Sequence, residues 1–134
     1  MVADGLKTVG SSFGHKETID RFEARLKSEG MRLFARIDHA AGAAEAGLEL
    51  RPTDVLVFGA AKAGTLLMQA SQALAIDLPL KVLVWQDESG ATLVSYNEPT
   101  WIARRHGLEP AGVPVVGAMT AALERLVRGA TLAS

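Results

Sequence analysis

Two short apolar stretches around a polar turn constrain this chain more than any other feature. Lys81-Val82-Leu83-Val84-Trp85 and Ala91-Thr92-Leu93-Val94-Ser95-Tyr96 flank Asp87-Glu88-Ser89-Gly90. Runs rich in β-branched and aromatic residues on either side of a Gly-containing turn predict an antiparallel hairpin with a loop of about four residues. A hairpin set among helical stretches does not fit a sheet made only of repeating βαβ units, so the fold class expected is α+β.

The other elements read in the order β-α-β-(α)-β-α-β-β-α-α. A first strand is expected within 6–13. Residues 15–29 are helical, because Ile19, Phe22 and Leu26 fall at i, i+3 and i+7 and Gly30 follows in the position that ends helices. Residues 31–37 alternate, which predicts a strand with Leu33, Ala35 and Ile37 on the core and Arg32, Phe34 and Arg36 toward solvent. Residues 40–47 form a short alanine-rich helix or turn. The uninterrupted run Asp54-Val55-Leu56-Val57-Phe58-Gly59 predicts a strand in the interior of the sheet and covered on both faces. Helices are expected over 60–75, with Gly64 its weakest point, and over 99–106, stopped by Gly107. A last helix carries Val116, Met119, Leu123 and Leu126 on one stripe.

At 134 residues the chain is the size of one domain, 1–134, with no linker or repeat in it. The 14 basic residues nearly balance 15 acidic ones, a net charge of −1, so no global field draws the chain to nucleic acid or to acidic lipid. No stretch approaches the roughly 20 apolar residues that span a bilayer, so no membrane partner is expected. The absence of cysteine excludes disulfides, thiolate metal sites and cysteine nucleophiles. The first residues lack a basic region followed by an apolar run, so a cytoplasmic location is expected.

Phe34-Ala-Arg-Ile-Asp-His-Ala, Gly47-Leu-Glu-Leu-Arg-Pro-Thr, Phe58-Gly59, Lys62-Ala-Gly-Thr, Leu67-Met-Gln-Ala, Asp77-Leu-Pro-Leu and Ser95-Tyr-Asn form an ordered set. Through these motifs the chain resembles the bacterial family called domain of unknown function 302, from about the first helix to His106 and most specifically over 34–70. The resemblance implies a single sheet with helices packed on it, an architecture like that of the TATA-box-binding protein, and a homodimer; it implies no particular activity. The chain departs from the family after Phe58-Gly59. Ala60-Ala61 stands where Asn-Pro is common, and Leu66 where proline is frequent.

Asp38-His39 ends a predicted strand where a loop begins. Histidine exchanges protons near neutral pH, so the pair is a candidate for catalysis with His39 as general acid or base. The alternative is that Asp38 caps the following helix. Gly59-Ala-Ala-Lys62-Ala-Gly64-Thr65 opens a helix whose backbone N–H groups can receive an anion, with Lys62 as counter-charge. It lacks the Gly-Lys-Ser/Thr ending of a P-loop, which removes ATP hydrolysis. Arg51 offers a planar fork to a carboxylate or phosphate, or holds its own loop. Tyr96 lies where it can line a pocket or a dimer face. Arg104-Arg105-His106 reads as a helix C-terminus complementing its dipole. No spacing supports a metal site, and no cofactor is implied. The expected function is a homodimeric domain that binds a small anionic or polar metabolite near Asp38, His39, Arg51, Lys62, Gly64, Thr65 and Tyr96. The alternatives are an enzyme using His39 with Asp38, and a structural or partner-binding dimer without a small-molecule site.

Overall fold

The structure is a computed structural model and describes residues 3–133. β1 (Leu6–Gly10), β2 (Arg32–Asp38), β3 (Thr53–Gly59), β4 (Leu80–Gln86) and β5 (Thr92–Asn97) form a five-stranded sheet in the order β1-β5-β4-β3-β2. Every neighbouring pair is antiparallel. The hairpin is β4–β5, and it sits at the centre of the sheet. Its loop is tied by Asp87, whose Oδ1 accepts from the N–H groups of Ser89 and Ala91 and from the Ser89 hydroxyl. These bonds stabilise the ionised carboxylate and, led by the Ser89 hydroxyl, hold its pKa below the usual range.

The helices are α1 (His15–Ser28), α2 (His39–Glu45), α3 (Ala61–Ala70), α4 (Pro99–Arg105) and α5 (Pro114–Thr131). α1 and α5 supply much of the core. Ile19, Phe22 and Leu26 of α1 and Val116, Met119, Leu123 and Leu126 of α5 are all buried, as their spacing predicts. Against them stand Leu56, Phe58, Val82, Val84 and Val94 of the sheet, and Phe22 meets Phe58 edge-on with ring centroids 5.2 Å apart. Gly30 takes φ 70 and Gly107 φ 77 immediately beyond α1 and α4, the left-handed turn that releases a chain from a helix.

Four expectations are corrected. β1 ends at Gly10 rather than running to residue 13, and α3 stops at Ala70, followed by a 3-10 turn over Gln72–Asp77. β3 is interior but not fully buried on both faces: Asp54, Leu56 and Phe58 are buried, whereas Val55 and Val57 on the opposite face are only half-buried. β2 is out of phase with the alternation read from its sequence. A bulge between Leu33 and Ala35 advances the strand by one residue, so Leu33 and Arg36 pair with core-facing Phe58 and Leu56 while Ala35 and Ile37 turn outward. Arg36 therefore faces the helices rather than open solvent, and Ile37 is 45% exposed.

Candidate functional site

The phase change in β2 brings together a buried polar cluster. Asp54 begins the core-facing alternation of β3 and is 1% exposed. A carboxylate so buried needs partners for both oxygens. Arg36 Nε donates to Asp54 Oδ2 at 3.0 Å, and His15 Nε2 lies 3.0 Å from Asp54 Oδ1. The Asp54 hydrogen bond holds the Arg36 guanidinium above its usual range. His15 opens α1, and its Nε2 also stands 3.2 Å from the carbonyl oxygen of Val84. A carbonyl only accepts, so the proton sits on Nε2, and in the neutral ring Nδ1 keeps its lone pair. A cleft of about 440 Å³ opens beside the cluster, with Lys16, Asp20, Asp38 and Ala40 among its walls.

The other end of β3 is different in kind. Beyond Phe58-Gly59 the chain enters α3, and a cavity of about 210 Å³ lies between that turn, Leu78-Pro79 and α5. Met31, Phe34, Met68, Met119 and Leu123 wall it, so its surface is almost wholly apolar. Gly64 leaves room here: a Cβ would stand 3.7 Å from Leu78 Cδ1, in ordinary contact. The Leu78-Pro79 wall follows Asp77, whose carboxylate accepts from Arg105 Nη1 at 2.7 and 2.8 Å and lies 2.6 Å from His106 Nε2. Arg105 and His106, read from the sequence as complements to a helix dipole, thus anchor the segment that closes the cavity.

The residues singled out in the sequence do not converge. Asp38 pairs with Asp54 at one end of the β2–β3 ladder and Arg32 pairs with Gly59 at the other. Six residue steps of about 3.4 Å put the Asp38-His39 and Lys62–Thr65 turns roughly 20 Å apart. Asp38 caps α2, accepting from Ala41 N at 2.9 Å. His39 is exposed, and no hydrogen bond joins it to Asp38. Arg51 Nε donates to Gln86 O at 3.2 Å, which ties its loop to β4. Gly64 and Thr65 line the apolar cavity, whereas Lys62 is exposed and outside its lining. Tyr96 is 5% exposed on β5, and burial, with Glu124 and Glu98 adding, raises its phenol above the usual range.

His15 and Asp54 were missed in the sequence. The available signal was Asp54 itself, a charge in phase with Leu56 and Phe58 on a core-facing strand, which demands a buried partner. The partners could not be identified while β2 was read in the wrong phase. Among the described residues no group of three or more acidic or histidine side chains is placed to hold a metal ion.

A five-stranded antiparallel sheet with helices packed on it is also the fold of a crystal structure of an uncharacterised conserved protein of the DUF302 family from Bacillus stearothermophilus. The two share 24% identity and a TM-score of 0.84, covering 96% of this chain and 99% of that one, a likeness of fold. The model of the domain of unknown function DUF302 matches residues 7–126, and the chain belongs to that family. Two further relatives are described as "Fluoride-specific ion channel FluC 1". One is from Brucella suis biovar 1 (strain 1330) and one from Brucella abortus biovar 1 (strain 9-941), each 46% identical over 108 residues and 81% of this chain. The chain spans 42% and 40% of their lengths. Among the described residues no helix is long and apolar enough to cross a membrane.

Proposed function

We propose that the chain is a small-molecule-binding domain whose ligand has an apolar body and occupies the cavity between α3, Leu78-Pro79 and α5. The observation that carries this reading is the cavity of about 210 Å³ walled by methionines, Phe34 and Leu123. Methionine-rich walls adapt to ligands of varied shape. The polar or anionic metabolite expected from the sequence is thereby revised to a molecule whose polar part lies at the Gly59–Thr65 rim. Gly64→Leu tests the reading, because the larger side chain fills the cavity. Native mass spectrometry of the purified protein should show a bound small molecule that this variant lacks; the same ligand on both removes the cavity from the site.

Pairing with a second copy is supported by a separate observation. The open sheet face carries Ile37, Val55, Val57, Leu83, Trp85 and Leu93, and no residue of α2 is buried. A seven-residue helix without buried contacts has little to hold it in a lone monomer. Val57→Arg should convert the dimer to monomer in sedimentation velocity, and a wild-type protein that is monomeric throughout removes this reading.

The acid–base alternative moves from His39 to His15, because His15, unlike His39, has a carboxylate to fix its tautomer and borders a cleft. The relatives described as channels fit a domain reading: the matched segment is less than half of each. In those proteins it would be a module beside the pore.

A further inference from the structure

The arginines of α1 and α5 belong to neither site. Arg21 and Arg25 of α1 and Arg125 and Arg128 of α5 line one cleft of about 500 Å³ beside Gly129. Three of them are held in place by protein groups. Arg21 donates from Nε to Gly129 O at 3.3 Å and from Nη2 to Leu132 O at 3.2 Å, and its guanidinium lies 4.0 Å over the Phe13 ring. Arg125 donates to Glu29 Oε1 at 3.0 and 3.3 Å, and Arg25 reaches Glu29 Oε2 at 3.5 Å. Gly129 leaves the space that the Arg25 side chain occupies, since a Cβ there would stand 2.7 Å from Arg25 Nε.

The charges do not balance within the cleft. Among the described residues Glu29 is the one carboxylate paired with these four guanidinium groups. Glu124 faces the adjoining groove with Lys7 and Arg128. Like charges lining one cleft repel one another, and an oxyanion between them relieves the repulsion. Arginine presents planar pairs of N–H groups matched to the oxygens of a phosphate, which a lysine cluster would not. A near-neutral chain that gathers four arginines along one cleft concentrates positive charge locally, without a global field.

We propose that the α1–α5 cleft binds a phosphate group, with Arg25 and Arg128 contacting it and Arg21 and Arg125 completing the positive wall. The phosphate is either free, or carried by a small metabolite, or the headgroup of an acidic lipid. Inorganic phosphate is the probe. Calorimetric titration at constant ionic strength, with chloride as the matched control, should give saturable binding for phosphate only. Arg25→Gln with Arg128→Gln should weaken it by roughly tenfold or more, the loss of a charge-assisted pair. Arg32→Gln with Arg104→Gln, the same charge removed elsewhere, should leave it unchanged. Both changes in the first pair are at exposed positions, and a circular dichroism melt confirms the fold. Cosedimentation with phosphatidic acid vesicles that phosphate competes away identifies a lipid source; phosphate binding without cosedimentation identifies a soluble one. Equal heats for phosphate and chloride, or equal affinity in the two double variants, overturn the proposal.

Discussion

Asp54 and Phe58 lie on one strand, point to the same side of the sheet, and are 1% and 0% exposed. They reach the same burial by opposite physics. Phe58 needs only apolar volume, which Phe22 and the neighbouring side chains supply. Asp54 needs a counter-charge and hydrogen-bond donors, and gets the first from Arg36 and a donor from each of Arg36 and His15, both at 3.0 Å. The apolar end can tolerate an imperfect fit, and it contains a cavity. The charged end cannot, because an unpaired buried carboxylate costs far more than a void. The difference predicts where the domain accommodates a ligand and where it holds its geometry.

The largest expected effect breaks the apolar end. Phe58→Ala removes a fully buried ring and should cost about 4 kcal/mol of unfolding free energy, read from urea denaturation. A loss below about 1 kcal/mol would show that the cavity collapses around the missing ring.

At the charged end, Arg36→Leu leaves Asp54 buried with His15 as its remaining side-chain partner. A loss of about 2 kcal/mol is expected, below the cost of breaking a fully buried pair because the Arg36 side chain is 41% exposed. The comparison sharpens in the double variant Asp54→Leu with Arg36→Met, which removes charge and counter-charge together and should lie within about 1 kcal/mol of wild type. A double variant as unstable as the single one would mean that the pair stabilises by itself, not merely by mutual neutralisation.

These two ends also mark how far the sequence could be read. The hairpin, the helical stripes of α1 and α5 and the α+β class follow from local periodicity, and the structure has them. The Asp38 cap follows too, since a cap is a contact three residues long. The charged cluster does not, because it depends on a one-residue bulge at Phe34 that reverses which side of β2 meets the helices. Alternation alone puts Arg36 on the solvent face and Ile37 on the core face, whereas in the structure the two exchange faces and both stay partly exposed. The cavity was equally hidden: the turn after Gly59 reads as an anion loop by composition, and only the approach of Leu78-Pro79 and α5 makes its surroundings apolar.

A smaller effect tests whether the empty space is needed. Gly64 is helical and its added methyl would meet only Leu78 and Met68, at 3.7 and 4.0 Å. Gly64→Ala should therefore stabilise the protein by about 1 kcal/mol through helix propensity, while narrowing the cavity and weakening its ligand. Higher stability with unchanged ligand occupancy would separate the cavity from binding.

The smallest effect belongs to a third kind of burial, between the apolar and the paired. Tyr96 is buried with its phenol pKa raised by burial and by the nearby Glu124 and Glu98, so the folded state resists ionising it. The unfolded chain loses that proton first, near the ordinary value of about 10. Above that pH unfolding releases a proton, and rising pH favours it; below it both states are protonated and the term vanishes. Stability should be insensitive to Tyr96 at neutral pH and fall as pH climbs past the ordinary phenol range. Tyr96→Phe should remove that part of the alkaline fall, measured as the difference between the two proteins' urea midpoints across pH 9 to 11. Parallel midpoints would mean that the phenol ionises as freely in the fold as outside it, and that burial at the centre of this sheet constrains shape but not charge.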